Sequence, residues 1–383
     1  MRKYCYSGIF MFNFVASGDS MAIWSRILLR PVASLYGFVT ALRNTLFDIG
    51  FLKSESFDVP VICVGNATVG GTGKTPHTEY IVSVLMKRYR VAILSRGYKR
   101  KTKGFVLATP SSVVADIGDE PMQMFRKFPN VTVACCEKRV VGIRKLLSMP
   151  LPPEVIVLDD AYQHRYVKAG MNILLCDYNR PIYRDKMLPL GRLRESCKSA
   201  VHRATHIVVT KCPKTLAPID KRVVSSYLDM YPYQKLYYSR ISYGLPLSLN
   251  GEPVADSFVG WLTSIYEAGA SLLVVSGIAT PRPLVKQIHE VFHDRVKVLS
   301  FADHRMYGKA DLERISSELS KLPVGVRYIL TTEKDAVKFS EMKLPEWGEQ
   351  LYYVPIVPQF IDDEKEPLSE ALLSYVEKNR RER

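Results

Sequence analysis

The segment with the clearest chemical potential in this sequence is a run of glycines that ends in lysine and threonine. An apolar stretch at residues 61–64 precedes it and predicts a buried strand, and a helical pattern follows it. In a strand–loop–helix unit of this kind, backbone N–H groups surround anionic oxygens and the helix N-terminus adds positive potential. Lys74 would reach the outer phosphates of a nucleotide, and the Thr75 hydroxyl would ligate Mg²⁺. The loop residues predicted to hold phosphate are Gly70, Gly71, Thr72 and Gly73.

This loop departs from the usual phosphate-binding pattern at one position. Thr68 stands six residues before Lys74, where glycine is expected. A glycine-rich turn with an incidental lysine is the alternative interpretation. Gly-Lys-Thr directly after an apolar strand nevertheless favours nucleotide binding, because the strand and the following helix supply the context that the chemistry requires.

Two pairs of acidic residues lie where predicted strands end. Asp159 and Asp160 follow the apolar run 155–158, a placement that predicts Mg²⁺ binding directly or through water; the alternative is an acidic surface turn. Asp119 and Glu120 lie at a predicted strand-to-helix junction, where ligand-facing residues gather in open α/β sheets. One of them would accept the proton of an attacking hydroxyl, and a role as a helix-capping acid is the alternative.

Basic residues and one histidine complete the candidate set. Arg192 and Arg194 are suited to clamp phosphate as bidentate donors, or they form a solvated charge cluster. His304 beside Asp303 is either an oriented base or a structural histidine. Both choices stay open on the pattern alone.

The elements that must position these residues follow an α/β pattern. Apolar runs of strand length alternate with helical patterns from residue 61 to residue 210, which predicts a mostly parallel sheet covered on both faces. The character changes near residue 235, and further strand–turn–helix units follow from residue 272. We therefore predict an α/β fold: a P-loop NTPase-like domain over residues 53–235 and a smaller α/β domain over residues 236–383 that closes over the site.

The N-terminal part of the chain predicts a surface helix. Residues 1–21 have two interpretations: a short signal-like leader, although no small-residue cleavage pattern is present, or translation assigned from a start codon too far upstream. Over residues 22–52, apolar side chains recur every three or four positions, with Arg26, Arg30 and Arg43 among them. These charges disfavour a membrane-spanning helix. The pattern fits an amphipathic helix in the headgroup layer of a membrane, or an ordinary core-packing helix.

Composition limits the class of protein. The 383 residues, 47% of them hydrophobic, suffice for two domains with substantial cores and exclude wholesale disorder. A net charge of +15 suits an anionic partner such as nucleic acid, an anionic membrane or a phosphorylated substrate. No interleaved aromatic and basic platform supports nucleic acid. Seven cysteines without CxxC spacing predict reduced thiols in a cytosolic setting rather than a zinc site.

Eight short motifs along the chain are together far more specific than any one of them. They are Val-Gly-Asn-Ala-Thr-Val-Gly-Gly-Thr-Gly-Lys-Thr-Pro, Ser-Arg-Gly-Tyr, Gly-Asp-Glu-Pro, Leu-Asp-Asp-Ala-Tyr-Gln-His, Leu-Pro-Leu-Gly-Arg-Leu-Arg-Glu, Ser-Gly-Ile-Ala, Phe-Ala-Asp-His and Thr-Glu-Lys-Asp. This ordered set resembles the tetraacyldisaccharide 4′-kinases, the lipid A 4′-kinases of Gram-negative bacteria. The family's looser phosphate loop shares the departure at Thr68. Ala161 stands where the family usually has glycine, and a positive φ there would be strained.

The resemblance implies an enzyme of lipid A, and hence lipopolysaccharide, biosynthesis. It implies transfer of the γ-phosphate of ATP, with Mg²⁺, to the 4′-hydroxyl of tetraacyldisaccharide 1-phosphate. It also implies a peripheral protein at the cytoplasmic face of the inner membrane, with the helix over residues 22–52 on the anionic membrane surface and against the acyl chains. Neither nucleic acid nor an obligatory protein partner is expected.

Carried over residue by residue, the resemblance makes Asp119 and His304 a catalytic pair acting on the sugar hydroxyl. The other implied roles are ATP and Mg²⁺ binding by Lys74, Thr75 and the loop glycines, metal binding by Asp159 and Asp160, and lining of the site by Glu120, Arg194 and Glu195. Because His304 falls in the second predicted domain, we expect domain closure to assemble the catalytic pair.

A membrane-associated P-loop switch or partition-type ATPase is the alternative function. Such a protein would hydrolyse nucleotide without a lipid acceptor. Residues 208–213 resemble a guanine-recognition strand, but Pro213 stands where that motif needs an acid, which disfavours GTP.

Overall fold

Two β-sheets, each flanked by helices, organise the protein. The structure is a computed structural model that describes residues 19–278, 281–303, 305–361 and 367–381, with side chains described between Leu29 and Asn379. Strands and helices alternate through these ranges, which confirms the predicted α/β fold class. The predicted leader, as far as residue 18, and His304 lie outside the described residues.

The secondary structure within these ranges is as follows. The strands are β1 Val61–Asn66, β2 Val91–Ser95, β3 Val106–Leu107, β4 Thr132–Cys135, β5 Val155–Asp159, β6 Met171–Asp177, β7 His206–Thr210, β8 Lys235–Tyr243, β9 Leu247–Ser248, β10 Ser271–Ser276, β11 Val296–Ser300, β12 Arg327–Thr332, β13 Leu351–Val354 and β14 Ile356–Phe360. The helices are α1 Asp19–Asp48, α2 Lys74–Leu85, α3 Val114–Ile117, α4 Asp119–Lys127, α5 Arg139–Leu147, α6 Cys197–Arg203, α7 Pro218–Leu228, α8 Phe258–Glu267, α9 Arg282–His289, α10 Lys309–Ser320, α11 Glu333–Phe339 and α12 Leu368–Arg381.

The larger sheet places β1 near its centre. Nine of the described strands form it in the order β14-β8-β7-β6-β1-β5-β2-β4-β3, and the pairs from β8 to β4 are parallel. All six residues of β1 are buried, and its alternate side chains, such as Cys63 and Val64, enter apolar clusters on opposite faces of the sheet. Burial on both faces is what a parallel strand between two helical layers requires. The carboxyl ends of β1, β2 and β5 therefore share one edge, where ligands bind in such sheets.

The smaller sheet is an insertion in the larger domain. Five of the described strands form it in the order β11-β10-β12-β13-β9, and only β9 is antiparallel. The predicted division between residues 235 and 236 differs from this topology. The strand that begins there, β8, pairs with β7 in the larger sheet. After the small domain, β14 pairs with β8, and Leu372 and Val376 of α12 enter the core of the larger domain.

The return of β14 to the larger sheet depends on a non-local pairing. Its partner strand β8 lies more than a hundred residues earlier in the chain, and the register aligns Pro358 with Ile241. A proline has no N–H for the ladder and is tolerated at the edge of a sheet, which is where β14 lies. No local periodicity in the sequence reports a pairing of this kind.

Helix α1 is packed along one side and exposed along another. It confirms the helix predicted over residues 22–52 and continues through Pro31. Ala33, Asn44 and Phe47 are buried against the larger domain. A contiguous set of large apolar side chains is exposed, here called the apolar face of α1: Leu29, Val32, Leu35, Phe38, Val39 and Leu42. Among the described residues, no helix is long and apolar enough to cross a membrane.

Candidate active site

The predicted phosphate loop connects β1 to α2 at the carboxyl edge of the larger sheet. Gly70 and Gly73 have φ of 108° and 86°, a backbone region that side chains with a Cβ rarely adopt. The Thr72 hydroxyl accepts a hydrogen bond from Asn66 Nδ2 at 2.9 Å, and its carbonyl accepts one from Thr210 Oγ1 at 2.9 Å. Thr72 is buried, so it shapes the loop, and the neighbouring glycines leave backbone N–H groups for an anion.

The segment at residues 192–194 runs antiparallel beside this loop and carries Arg194 to the site. Val69 N donates to Arg192 O at 2.8 Å, and Arg194 N donates to Ala67 O at 2.8 Å. The segment is therefore paired with the loop as an additional short strand. The pairing brings both Arg192 and Arg194 next to the loop, and the roles of the two arginines stay predictions.

Three charged side chains meet at the mouth of the loop. Lys74 Nζ lies 3.7 Å from Asp160 Oδ1, and Arg194 Nη1 lies 3.6 Å from the same oxygen. All three side chains are partly exposed, so the two cations can turn toward a bound anion. Thr75 follows in the first turn of α2 and is half-buried. The positive φ in this segment falls on Asp160, at 45°, and not on Ala161, so the alanine at that place is not strained.

Asp159 is the buried acid of the site. Its carboxylate accepts hydrogen bonds from Thr78 Oγ1 at 3.0 Å and from Ser95 Oγ at 3.3 Å. Burial raises the pKa of Asp159 to about 7, the negative charges of Glu120 and Asp160 add to this effect, and Lys74 opposes it. Burial and the neighbouring negative charges disfavour the ionised form of this carboxylate. It is therefore suited to bind a cation, because the cation would offset the cost of ionisation.

Asp119 begins α4 directly after Gly118, whose φ is 94°. The preceding element is the short helix α3, so the prediction of a strand-to-helix junction at this point was wrong. A Cβ at Gly118 would lie 2.9 Å from Tyr98 O, so the chain can make this turn only with glycine. Asp119 is buried, and its Oδ2 lies 3.3 Å from Lys338 Nζ on α11 of the small domain. The half-buried Glu120 beside it acts electrostatically on Asp159, so the two predicted pairs of acids belong to one site.

Lys338 is held in place by residues of the small domain. Its side chain is 2% exposed, and Nζ lies 3.6 Å from Asp335 Oδ1. Asp335 is itself fixed, because its Oδ2 accepts hydrogen bonds from Gly277 N and Thr332 Oγ1, both at 2.8 Å. The hydrogen bonds that fix Asp335 therefore also restrict the position of the Lys338 ammonium, which lies beside Asp119 across the domain boundary.

A second lysine joins the two domains nearby. Lys127 Nζ of α4 lies 2.6 Å from Glu79 Oε2 of α2 and 3.0 Å from Glu333 Oε1 of α11. Gln123 Nε2 donates to both carboxylates, at 2.6 and 3.1 Å. Burial and the charge of Glu333 raise the pKa of Glu79 to about 7, and Lys127 opposes the shift. The phosphate-loop helix is thereby linked to the small domain.

Glu195, which the resemblance assigned to the lining of the site, is fully occupied by other protein groups. Its buried carboxylate accepts hydrogen bonds from both terminal nitrogens of Arg203, from Asn44 Nδ2 at 3.1 Å and from Gln163 Nε2 at 3.1 Å. These contacts connect α1 to the segment that carries Arg194. The geometry therefore gives Glu195 a positioning role behind the site.

Two residues that the sequence reasoning missed belong to the site, namely Lys338 and Arg139. Arg139 is 2% exposed, and its guanidinium donates to Cys136 O at 3.0 Å and to Asp159 O at 3.4 Å, which bridges the ends of β4 and β5. Burial lowers the pKa of Arg139, and the charges of Asp159 and Asp160 oppose this. A basic residue that starts a helix just after a strand end was the available signal.

The arrangement combines the parts that phosphoryl transfer needs. A loop of backbone N–H groups and two cations can hold phosphates, and two carboxylates beside them can hold a cation. A buried carboxylate at the start of α4, Asp119, can accept a proton from a hydroxyl group. His304 lies outside the described residues, so its predicted pairing with Asp119 stays a prediction.

Comparison with known proteins gives consistent matches over nearly the whole chain. The model of the family described as tetraacyldisaccharide-1-P 4′-kinase matches residues 25–377. The tetraacyldisaccharide 4′-kinase of Bacteroides thetaiotaomicron is 45% identical over 360 residues, covering 92% of this chain and 94% of the relative. That of Phocaeicola vulgatus is 46% identical over 363 residues, covering 92% and 96%. A crystal structure of an "apo" form of LpxK from Aquifex aeolicus in complex with ATP is similar with a TM-score of 0.71 and 29% identity, covering 92% of this chain and 99% of that one.

Proposed function

The chain belongs to the tetraacyldisaccharide-1-P 4′-kinase family, and we propose how its own residues perform the reaction of that family. The protein is a lipid kinase of lipid A biosynthesis, which uses ATP to phosphorylate the 4′-hydroxyl of tetraacyldisaccharide 1-phosphate. The observation that carries the assignment of roles is the shared edge of the larger sheet. The phosphate loop follows β1, the buried Asp159 ends β5, and the buried Asp119 begins α4 beside the segment that follows β2, where Gly118 approaches Tyr98 O.

ATP binds with its phosphates in the loop between β1 and α2. The N–H groups from Gly70 to Gly73 surround the phosphate oxygens, and Lys74 reaches the outer phosphates. When the nucleotide binds, Lys74 and Arg194 leave Asp160 and contact the phosphates instead. This is feasible because both contacts to Asp160 are longer than 3.5 Å. Both cations then face the charge that develops on the transferred phosphoryl group.

The residues present fit Mg²⁺. Mg²⁺ keeps several waters and takes one or two carboxylates together with substrate phosphates, so a cage of protein ligands is not required. Asp159, with its raised pKa, and Asp160, whose Oδ1 is buried without a hydrogen bond in the described structure, supply such carboxylates beside the Thr75 hydroxyl. When bound, the ion would neutralise phosphate charge during transfer.

Asp119 accepts the proton of the 4′-hydroxyl. Asp119 is buried at the start of α4, and its Oδ2 lies 3.3 Å from the ammonium of Lys338, which places a positive charge beside the base. Glu120 contributes negative charge on the metal side of the site. In this proposal His304 is the partner of Asp119 implied by the family resemblance, brought to it by the small domain.

The apolar face of α1 docks on an anionic bilayer, which we place at the cytoplasmic face of the inner membrane. Leu35 and Phe38 on this face are 64% and 65% exposed, and the net charge of the chain is +15. An exposed apolar helix face combined with cationic charge is the composition of interfacial helices. The opposite side of the same helix contacts the site, because Tyr36 Oη donates to Arg194 O and Arg43 Nη2 donates to Gln163 O, both at 3.1 Å.

The transfer of labelled γ-phosphate from ATP to tetraacyldisaccharide 1-phosphate in neutral detergent micelles tests this function. We expect lipid-dependent transfer by the unaltered protein and loss of transfer in Lys74→Ala. Lys87→Ala, an exposed lysine beyond the far end of α2, is the matched control and should remain active. Hydrolysis of ATP without labelled lipid would contradict the kinase assignment and favour a switch-type ATPase.

Vesicle sedimentation tests the docking of α1 separately. The double variant Leu35→Glu with Phe38→Glu should lose binding to vesicles that contain anionic phospholipid. Val324→Glu with Val326→Glu is the matched control, because these side chains are 98% and 56% exposed on the small domain. Equal loss of binding in both double variants would refute the assignment of α1 as the docking element.

A further inference from the structure

We propose that helix α7 is a second membrane contact, which enters the headgroup layer of an anionic bilayer beside the apolar face of α1. The proposal rests on the proposed docking of α1 and extends it to another element. The residues that carry it are here called the α7 stripe: Ile219, Val223 and Tyr227, which are 62%, 38% and 58% exposed.

The α7 stripe occupies one face of its helix. Its residues follow one another at intervals of four positions, and residues at this spacing are neighbours on a helix surface. The buried residues of α7, Val224 and Leu228, belong to the core of the larger domain and lie on the opposite face. Packing of the domain therefore uses the inner face of α7 and does not account for large apolar side chains on the outer one. A contiguous apolar set in such a place marks a contact surface.

The α7 stripe is continuous with the apolar face of α1. The rings of Tyr227 and Tyr183 are stacked, with centroids 4.9 Å apart and an interplanar angle of 13°. The guanidinium of Arg184 lies 5.9 Å from the centroid of the Tyr183 ring, and Arg184 lines one cavity together with Arg30 of α1. Arg30 follows Leu29, the first residue of the apolar face of α1. A row of adjacent side chains thus joins the two helices, so both can meet the same bilayer.

The residue types on this surface suit a bilayer interface. Tyr227 offers an apolar ring and a polar hydroxyl, the combination that is enriched at the boundary between lipid and water. Arg184 and Arg222 are exposed beside the stacked rings and within α7, where arginine side chains can cover apolar surface and reach lipid phosphates. The acids of this helix, Asp220 and Asp229, lie at its two ends. The net charge of +15 favours an anionic surface as the partner.

A second contact would fix the orientation of the protein on the membrane. A single interfacial helix leaves the protein free to rotate about the axis of that helix. A contact at α7, on an element apart from α1, restricts this rotation. The active site then faces the bilayer that holds the lipid substrate. Loss of the α7 contact should therefore reduce transfer to substrate in vesicles more than transfer to substrate in micelles.

The test uses Ile219→Gln with Tyr227→Gln, which removes apolar groups without changing the charge. Sedimentation with phosphatidylcholine vesicles that contain phosphatidylglycerol should show a partition coefficient about tenfold lower than that of the unaltered protein. Val324→Gln with Val326→Gln is the matched control on the small domain and should bind as the unaltered protein does. Ile219→Leu with Tyr227→Trp keeps the apolar surface and should retain binding. Thermal denaturation without lipid checks that all variants are folded.

Activity separates this proposal from the proposed function. In neutral detergent micelles, Ile219→Gln with Tyr227→Gln should keep the kcat/KM of the unaltered protein for tetraacyldisaccharide 1-phosphate. With the same substrate in vesicles, its kcat/KM should fall about tenfold. If the unaltered protein transfers no phosphate to lipid in micelles, the proposed function fails, and vesicle sedimentation still decides the α7 contact.

Two results would overturn the α7 contact. One is a partition coefficient that does not fall, or that falls equally in the control on the small domain. The other is an unaltered protein that is dimeric in analytical ultracentrifugation and becomes monomeric in Ile219→Gln with Tyr227→Gln. That result would assign the α7 stripe to a contact between two copies of this chain.

Discussion

The phosphate loop and Asp119 lie at the same edge of the larger sheet, yet they are held by contacts of different origin. The loop is fixed by partners within its own domain, through Asn66, Thr210 and the segment that carries Arg194. Asp119 instead meets the ammonium of Lys338, which the small domain supplies. The nucleotide half of the site is thus held by contacts within one domain, whereas the acceptor half takes its electrostatic environment from the contact between the two domains. Changes in the two halves should therefore affect different kinetic constants.

The largest effect is expected for Asp119→Asn. The amide keeps the shape of the side chain but cannot accept the proton of the 4′-hydroxyl, so kcat should fall about 10²- to 10⁴-fold. Binding of an ATP analogue should stay close to that of the unaltered protein, because the loop does not depend on Asp119. Steady-state kinetics together with nucleotide titration measure both. A comparable loss of nucleotide affinity would erase the proposed distinction between the two halves.

A smaller but more diagnostic effect is expected for Lys338→Met. Without the ammonium, the buried carboxylates of Asp119 and Asp335 lose the cation that lies beside both, so kcat should fall about 10- to 100-fold while the KM for ATP stays unchanged. Lys338→Arg keeps the charge and should restore most of kcat. A loss of nucleotide affinity as large as the loss of kcat would remove Lys338 from the acceptor half.

The nucleotide half should show its own pH dependence through Asp159. Because its pKa is raised to about 7 in the free protein, protonation competes with cation binding, and the affinity for Mg²⁺ with an ATP analogue should decrease as pH falls below 7. The loss should be up to about tenfold per pH unit. Asp159→Asn should bind more weakly and with little pH dependence, as calorimetric titration between pH 6 and pH 8 would measure. Equal pH dependence in the two proteins would place the titrating group elsewhere.

The smallest effect, on stability, is expected at the second lysine of the interface. Lys127→Met leaves Glu79 and Glu333 facing each other, which should lower the free energy of unfolding by about 1–2 kcal/mol. The pKa of Glu79 is above its unfolded value, so the folded state retains a proton that the unfolded state loses, and stability declines as pH rises from about 4.5 through 7.

Removal of Lys127 should make this decline steeper. Thermal denaturation at pH 5 and pH 8 should show a larger loss at pH 8, whereas Lys87→Met serves as a control with no pH-dependent loss. If the loss in Lys127→Met were the same at both pH values, the paired acids would not be its cause.

The contrast between the two halves also explains what sequence reasoning achieved. The loop between β1 and α2 was predictable because a strand, a glycine-rich turn and a helix follow one another within a few residues, and the acids at the end of β5 followed from its apolar run. The contact of 3.7 Å between Lys74 Nζ and Asp160 Oδ1 was not predicted. The helix α1 was predictable from its periodicity. These features depend on local pattern and on the shared edge of parallel strands.

Other features depend on pairings between distant residues and left no local signal. Lys338 reaches Asp119 from more than two hundred positions away, and β14 pairs with β8 across the inserted domain. Glu195 has the residue type of a site-lining acid, but its partner Arg203 occupies it. Composition shifts predicted a boundary near residue 235 and could not show that the chain returns to the larger sheet.

The insertion has a consequence for the order of events during synthesis. When β8 leaves the ribosome, the edge that β14 will cover is still unpaired, and more than a hundred residues must be added before β14 appears. At about 5–20 residues per second, this interval lasts roughly 5 to 20 seconds. An open strand edge is a template for pairing with other chains throughout that time. The nascent protein therefore passes through a period in which the small domain can fold while the larger one awaits its last strand and helix.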